Sequence, residues 1–222
     1  MRPKNFRRYS AKRRPAGKSQ PKPMENNPMT APKPQSRNQQ SKRQFFSQPK
    51  PNEVLKIIPI GGCEEVGRNM TIFEYGQDII ILDMGIQFPE EDMPGIDYII
   101  PNANYLKGKE KNIRGVIFSH GHLDHIGAAP ILLEKLGNPP IIGRDMTIAM
   151  VKHRQEDYHA NSAQKLKTII IKNIHERLKL GIFNVSFFQV EHSVIDAMGV
   201  IISTPTATVI HPGDWTMEHG PV

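Results

Sequence analysis

Apolar residues recur in short runs along the second part of the chain, and most of these runs are too short to form helices. Runs such as Gly115-Val116-Ile117-Phe118 contain β-branched and aromatic residues, which favour buried strands. The pattern predicts strands near residues 54–60, 69–75, 78–83, 113–118, 167–173, 183–190, 199–203 and 206–211. Helices are predicted over 126–136 and 145–160, so the fold class is α/β.

Two of the gaps between predicted strands have the composition of tight turns. Tyr75-Gly76-Gln77-Asp78 and Ser203-Thr204-Pro205-Thr206 each separate two apolar runs, which predicts two hairpins. About 170 residues are enough to bury the core of one ordinary domain. We therefore predict a single globular domain over residues 53–222.

Residues 1–52 have a different composition from the rest. They hold 14 Lys or Arg and one acidic residue, Glu25, for a net charge of +13, and the remainder carries −6, which together give the +7 of the chain. Nine of the 19 prolines lie there, with many Gln, Asn and Ser residues. Such a segment cannot bury enough apolar surface to order itself, so we predict a disordered basic tail.

A flexible polycation beside a globular domain predicts electrostatic capture of RNA, with the aromatic residues Phe6, Tyr9, Phe45 and Phe46 stacking on bases. Two alternatives stay open for this tail, a solubilising extension without a specific ligand and an organellar transit peptide. Cys63 is the only cysteine, which excludes an intrachain disulfide and fits a reducing compartment. No apolar run reaches the length of a signal sequence or membrane span, so we predict a cytoplasmic protein.

The densest chemistry follows the strand predicted over 113–118. Residues 119–127 read Ser-His-Gly-His-Leu-Asp-His-Ile-Gly, and four of their side chains can bind metals: His120, His122, Asp124 and His125. In an extended loop, residues two apart project to the same side, so His120 and His122 can converge on one ion. Asp124 and His125, at the start of a helix, turn toward another. The pattern therefore predicts two neighbouring metal sites.

The donor types indicate a hydrolytic site. Zinc accepts neutral imidazole and carboxylate, and a catalytic zinc keeps one position for water. We expect two divalent ions, with zinc as the first choice and manganese or iron as alternatives. Cysteine is absent from the cluster, which argues against a structural zinc finger. The alternative is a polar loop that only caps the following helix, and this explains one residue of the four, Asp124.

Two downstream segments can complete the ligand set. Residues 187–192 read Phe-Phe-Gln-Val-Glu-His and residues 208–214 read Thr-Val-Ile-His-Pro-Gly-Asp, so each β-rich run is followed by a candidate ligand, His192 or Asp214. Ligands at strand ends can meet at one sheet edge. We expect His211 to contact Asp214 rather than an ion. The helix residues His153 and Asp157 are one turn apart and are predicted to pair on a solvated surface.

Several motifs together resemble the metallo-β-lactamase superfamily, and within it the ribonuclease J group of the β-CASP nucleases. They are Gly61-Gly62-Cys63-Glu64-Glu65-Val66-Gly67-Arg68-Asn69, Leu82-Asp83-Met84-Gly85, Phe88-Pro89-Glu90, the His-x-His-x-Asp-His loop, His192-Ser193 and His211-Pro212-Gly213-Asp214. Thioester hydrolases, lactonases and nucleases of the superfamily share the His-x-His-x-Asp-His loop. The Gly-Gly loop and the Phe-Pro-Glu segment favour ribonuclease J.

The resemblance implies a four-layer αββα sandwich and a defined ligand set. One metal would be held by His120, His122 and His192, and the second by Asp124 and His125. Asp214 would bridge the two ions. A water activated by the ions would attack an RNA phosphodiester, with Asp124 as the side chain able to assist.

The resemblance also gives a role to Asp83, which would orient the ligand loop through hydrogen bonds without binding an ion. An ordinary turn aspartate before Gly85 is the alternative. Ribonuclease J resemblance further implies a β-CASP insertion after Asp214, a return to the first domain that supplies another histidine, and a C-terminal domain. None of these follows Val222. We therefore expect the N-terminal half of the sandwich, as a fragment, a split gene or a truncated reading frame, with one sheet face uncovered and its own activity in doubt.

The leading hypothesis is a metal-dependent ribonuclease, with 5′-exonuclease action, endonuclease action or both, as the resemblance implies. A thioester or lactone hydrolase of the same superfamily is the first alternative. The second alternative is a non-catalytic RNA-binding partner. As partners we expect RNA, with a homo-oligomer or other RNA-decay proteins as further candidates, and no membrane.

Overall fold

The computed structural model describes residues 54–216, which contain ten strands and three α-helices. The tail predicted over residues 1–52, with its proposed RNA contacts, lies outside the described residues. In chain order the strands are Leu55–Gly61 (β1), Met70–Tyr75 (β2), Asp78–Leu82 (β3), Ile113–Ile117 (β4), Ile141–Gly143 (β5), Thr168–Ile170 (β6), Arg177–Leu180 (β7), Phe183–Gln189 (β8), Met198–Ser203 (β9) and Thr208–His211 (β10). The helices are Leu123–Ile126 (α1), Ala129–Lys135 (α2) and Asp145–Tyr158 (α3).

The first sheet contains β1 to β6 in sequence order. Strands β1, β2 and β3 are antiparallel neighbours, and Gly76, at a φ of 61°, makes the tight turn that pairs Tyr75 with Asp78. From β3 onward the pairs are parallel, with α1 and α2 in the connection from β4 to β5 and α3 in the connection from β5 to β6. The carboxyl ends of β3 and β4 therefore lie side by side, where loops of an α/β sheet commonly bind ligands.

The second sheet is an antiparallel meander in the order β10, β9, β8, β7. Its last turn is closed by a hydrogen bond from Thr204 N to Ala207 O, so the predicted hairpin between β9 and β10 is present. Met198 N, at the start of β9, donates to Ser119 O at 3.0 Å. This contact joins the second sheet to the loop after β4, at the end of the molecule that carries the candidate ligands.

Two apolar layers hold the sheets and helices together. Alternate residues of β3 belong to different layers: Ile79 and Ile81 pack with the helices, and Ile80 and Leu82 pack with the second sheet. The order is thus helices, first sheet, second sheet, which are three layers of the predicted αββα sandwich. Within residues 54–216 no helix covers the outer face of the second sheet, where Ile210 is 64 % exposed.

The predicted strands are all present, and two more were missed. β5 has three residues directly after Pro139 and Pro140, too short a run for a period to emerge. It is nevertheless fully buried, because β4 and β6 flank it. In β7, Arg177 and Lys179 alternate with Leu178 and Leu180. The strand was missed because of these two charged residues, although its leucines face the core.

The helix predicted over 126–136 is wrong in its bounds, because the chain forms α1 and α2 instead. Pro130 has no N–H to donate to the Ile126 carbonyl, so α1 cannot continue through it. The intervening Ala128 N donates to Met84 O at 2.8 Å, which ties the break to the chain beyond β3. The second predicted helix is present as α3 and ends at Tyr158, two residues earlier than expected. None of the helices in residues 54–216 has the length and apolar character needed to cross a membrane.

Candidate metal centre

The six candidate ligands come from three segments and the orienting carboxylate from a fourth, and these segments meet where the two sheets join. Asp83 follows β3, and residues 119–125 follow β4 and enter α1. His192 follows β8, and Asp214 follows β10. Each of these segments follows the end of a strand, where backbone pairing between strands stops. Its side chains can therefore turn toward the edge that the two sheets share.

Three imidazoles converge at the first position. His122 Nδ1 lies 3.1 Å from His120 Nε2 and 3.1 Å from His192 Nε2. A tetrahedral zinc ion about 2.0–2.1 Å from each nitrogen keeps its nitrogen ligands about 3.3 Å apart. The spacing of the three nitrogens therefore fits one divalent ion, and these residues could hold it.

A buried carboxylate determines which ring atoms face the ions. Asp83 accepts hydrogen bonds from Ser119 N and Ser119 Oγ, each at 2.8 Å, and from His125 Nδ1 at 2.8 Å. Since the Ser119 hydroxyl donates to Asp83, it accepts from His120 Nδ1 at 3.0 Å. Both histidines therefore carry their proton on Nδ1 and present Nε2 to the centre of the site.

The second position is formed around His125 Nε2. This atom lies 3.4 Å from Asp214 Oδ1 and 3.6 Å from Asp124 Oδ2. The other carboxylate oxygen of Asp214 is 3.8 Å from His192 Nε2. Asp214 thus turns one oxygen toward each position, which is the arrangement that a bridging ligand requires. His120, His125 and Asp214 form a second group whose atoms are close enough to share an ion.

The electrostatics of the site favour a cation between the carboxylates. Burial lowers the pKa of His120 to about 3, and the charge on neighbouring His125 adds to this effect. Burial also opposes protonation of His125, but Asp83 and Asp214 outweigh it and raise its pKa to about 10. The contact with His125 chiefly lowers the pKa of Asp214 to about 2. Asp214 is therefore anionic at neutral pH and stabilises positive charge at this point.

The loop that carries His192 is held from two sides. Asp196 accepts a hydrogen bond from Arg144 Nε and another from Met146 N, both at 3.0 Å, which ties the loop to the start of α3. Thr216 N donates to Glu191 O at 2.9 Å. His192 Nδ1 is buried and has no hydrogen-bond partner among the described residues, so the contacts of the surrounding loop, rather than a bond to Nδ1, hold this histidine in place.

All six predicted ligands lie together at this centre, although their roles as ligands stay predictions. Asp124 is the least central, since it approaches His125 without joining either group of three. Asp83 is buried and hydrogen-bonded in the way expected of an orienting residue. Ser119 is a residue that sequence reasoning missed. Its position immediately before His120 is the available signal, but only the fold brings it to Asp83.

The remaining candidates lie outside the centre. His211 is half-buried and accepts a hydrogen bond from Gly213 N on Nδ1 at 3.0 Å, which shapes the turn that leads to Asp214. Burial chiefly lowers the pKa of His211. His153 and Asp157 lie 3.8 Å apart on the exposed surface of α3, as predicted. Trp215 is 49 % exposed and lines an apolar surface pocket with Phe188 and Ile210.

Comparison with known proteins agrees with the geometry. The sequence model of the metallo-beta-lactamase superfamily matches residues 64–219, which include the motif loop and both downstream ligands. The chain belongs to this superfamily. The resemblance inferred from the motifs and the α/β fold with helices on one sheet of a two-sheet sandwich are therefore confirmed.

Curated relatives narrow the resemblance to ribonuclease J. The chain is 37 % identical over 182 residues to ribonuclease J of Thermus thermophilus, which covers 79 % of the chain and 31 % of that protein. It is 36 % identical over 173 residues to ribonuclease J 1 of Streptococcus pyogenes, covering 78 % of the chain and 30 % of that protein. The chain thus spans about a third of the length of these relatives.

A solved structure supports the fold alone. A protein of unknown function from Enterococcus faecalis superimposes with a TM-score of 0.56 at 18 % identity, covering 72 % of this chain and 43 % of that one. At this level of identity the similarity concerns the arrangement of strands and helices. It does not extend to the activity of the site.

Proposed function

We propose that this metallo-beta-lactamase superfamily chain carries the metal centre of a ribonuclease that hydrolyses RNA phosphodiester bonds. The main observation behind the proposal is the convergence of His120, His122 and His192 at nitrogen spacings of 3.1 Å, with carboxylates alongside. The similarity to ribonuclease J of Thermus thermophilus supports RNA as the substrate class.

The proposed ligand assignment follows the group of three histidines at the first position and the family resemblance at the second, where Asp124 joins His125. His120, His122 and His192 hold one ion, Asp124 and His125 hold the other, and Asp214 lies between them. Divalent ions held by these residues would lower the pKa of a water molecule toward neutrality and would stabilise negative charge that develops on phosphate oxygens. The His and carboxylate donors suit zinc, and manganese is the alternative.

The residues of the chain have separate tasks in this proposal. Asp83 and Ser119 keep the Nε2 atoms of His120 and His125 directed at the ions. Asp124 and Asp214, whose side chains are 27 % and 45 % exposed, line the side of the centre that solvent reaches. A phosphodiester can approach from this side, and Asp124 is the carboxylate that we expect to assist there.

The finer properties of the reaction remain proposals that rest on the resemblance. They are 5′-exonuclease action and endonuclease action, alone or together. A cytoplasmic location is proposed on a separate ground, the lack of an apolar run as long as a signal sequence or membrane span in the sequence. A homo-oligomer or other RNA-decay proteins are the proposed partners besides RNA.

The proposal is tested with the 222-residue chain loaded with zinc or manganese. A single-stranded RNA labelled at its 5′ end is incubated with the wild-type chain, His122→Ala and the control His175→Ala, which changes an exposed histidine outside the centre. We expect metal-dependent cleavage by the wild type and the control. The His122→Ala chain should lose at least about a hundredfold in rate, because one ligand of the first ion is removed.

The products distinguish the alternatives. Labelled mononucleotides indicate 5′-exonuclease action, and longer labelled fragments indicate endonuclease action. Hydrolysis of a thioester or lactone substrate with uncut RNA would instead favour a small-molecule hydrolase. RNA that is retarded in a salt-dependent way but never cut, whatever the metal, would contradict the ribonuclease proposal and favour an RNA-binding role.

A further inference from the structure

The glycine-rich loop between β1 and β2 ends at the metal centre. Its last residue, Asn69, donates from its backbone N to Asp124 O at 3.1 Å, and its own carbonyl accepts from Gly85 N at 2.9 Å. Asn69 therefore bridges the chain beyond β3 and the loop beyond β4. These are the two segments that carry the orienting carboxylate and the ligands of the second position.

The side chain of Asn69 contacts the same corner. Asn69 Nδ2 lies 3.1 Å from Asp124 O, 3.4 Å from Asp124 Oδ2 and 3.1 Å from His125 Nε2. An amide nitrogen has two hydrogens to donate. When His125 Nε2 is used for an ion, the backbone O and the carboxylate Oδ2 of Asp124 remain as acceptors for the two hydrogens, so the amide still influences where this carboxylate points.

Glycines allow this close approach. A β carbon on Gly62, which has a φ of 84°, would lie 2.1 Å from Asn69 Oδ1, and one on Gly85 would lie 1.5 Å from Asp124 O. Neither position tolerates a side chain without displacing the Asn69 or Asp124 segment. The loop is also braced internally, since Gly62 N donates to Glu65 Oε1 at 3.0 Å and Glu65 pairs with Arg68.

Arg68, the residue before Asn69, adds a further contact. Arg68 N donates to Ile86 O at 2.9 Å, one residue before Asn69 binds Asp124. Successive residues of the loop therefore contact the chain after β3 and the chain after β4. The Gly61–Asn69 motif thus contacts the loop after β4 through its final residue, Asn69. Neither the ligands nor Asp83 makes this contact.

We propose that Asn69 is a positioning residue that orients the Asp124 carboxylate and so sets the affinity of the second metal position. The inference rests on the proposed function, because it needs the centre to bind two ions. A hydrocarbon side chain at residue 69 would keep the backbone contacts but leave Asp124 without its amide donor. The Asp124 carboxylate would then adopt orientations that do not point toward the second metal position.

Metal binding by the whole 222-residue chain tests the inference without using activity. Zinc titrated in competition with a chromophoric chelator gives the affinities of the first and second ions for the wild type, Asn69→Ala and the isosteric Asn69→Leu. The matched control is Asn102→Ala, which removes an exposed amide whose Oδ1 accepts from Asn104 N in a different loop. Circular dichroism establishes that each variant is folded.

We expect both Asn69 variants to bind the second ion about 10- to 100-fold more weakly and the first ion as the wild type does, since outer contacts of metal ligands have effects of this size. Equal second-ion affinity in the wild type and both variants would overturn the inference and leave the proposed function intact. Equal weakening of both ions would also overturn it, because that outcome indicates a general structural role. A wild-type chain that binds fewer than two ions overturns the inference, and one that binds none overturns the proposed function as well.

Discussion

The two sides of the metal centre are built differently. The inner side consists of Asp83, Ser119, His120 and His125, which are all buried and bonded to one another. The outer side consists of His192 and Asp214, whose side chains are 12 % and 45 % exposed. Residues of the inner side fix one another's protons and rotamers, whereas the outer residues are carried by loops after β8 and β10.

The difference separates two ways of placing a ligand. The inner side is part of the core of the first sheet, so its geometry should share the stability of the domain. The outer side depends on a few hydrogen bonds of surface loops, such as those of Asp196. Removing an inner residue should therefore affect both folding and metal binding, and removing an outer one should affect metal binding alone.

Paired alanine variants give the largest expected effect. His120→Ala should abolish binding of the first ion, because one of its three imidazoles is removed, and should lower the free energy of unfolding by about 1–3 kcal/mol through the lost buried contacts. His192→Ala should weaken the first ion at least about a hundredfold yet change unfolding by less than about 1 kcal/mol. Zinc titration and urea unfolding measure the two quantities. A similar loss of stability in both variants would break the distinction between the sides.

Asp83→Asn should have the next largest effect. Asp83 accepts three hydrogen bonds through its two carboxylate oxygens. An asparagine amide replaces one of these oxygens by an NH2 group, so this group would face a buried donor of Ser119 or His125. We expect a loss of about 2–4 kcal/mol in unfolding free energy and a 10- to 100-fold loss of metal affinity. Asp157→Asn, on the exposed surface of α3, is the control and should change neither. Unaltered metal affinity in a folded Asp83→Asn chain would show that Asp83 does not orient the ligands.

Glu74→Gln tests whether a loss of stability in the first sheet is enough to weaken metal binding by the inner side. Glu74 is a buried carboxylate of β2 that binds Lys56, Lys109 and Tyr105. Burial raises its pKa, but these three partners outweigh burial and lower it below the ordinary value of 4.5. The variant should lose about 1–3 kcal/mol of unfolding free energy at pH 7 while the folded chain keeps its metal affinity.

The effect of Glu74→Gln on stability should depend on pH in a defined direction. Because the pKa of Glu74 is lower in the folded chain, its contribution is fully present above the unfolded pKa near 4.5 and is lost as the pH falls through the folded value. The stability difference between wild type and Glu74→Gln should therefore shrink below about pH 4.5. Glu134→Gln, an exposed residue of α2, is the control. A difference that grows on acidification would contradict the assigned contacts.

Asp196→Asn gives the smallest expected effect and probes the outer side. Asparagine tolerates the positive φ of 69° at this position but offers Arg144 no carboxylate, so the tie between the His192 loop and α3 weakens. We expect about a tenfold loss in affinity for the first ion and a loss of about 0.5–1 kcal/mol in stability. Metal affinity equal to that of the wild type would mean that the Thr216 contact suffices to hold this loop.

Much of the sheet structure and the composition of the centre was open to prediction. Alternating and β-branched runs indicated eight of the strands, since strand pairing leaves a period in the residues that face the core. The break at Pro130 and the strands β5 and β7 were missed. The break follows from the missing N–H of Pro130, and β7 pairs with its neighbour β8 in a tight hairpin, whereas for β5 contacts with distant residues outweigh a weak local pattern. Ile141 to Gly143 form a strand because β4 and β6 lie on either side.

The sequence by itself determined the chemistry on offer: two imidazoles spaced by one residue, an aspartate and a histidine at a helix start, and further donors after two β-rich runs. These follow from covalent order, which sets spacing and side-chain direction over a few residues. Only the tertiary structure brought His192 Nε2 to 3.1 Å from Nδ1 of His122, which is 70 positions away in the sequence. It also brought Asp83 within hydrogen-bonding distance of His125. Such meetings depend on how the two sheets pack, and packing is a property of the whole fold rather than of any one segment.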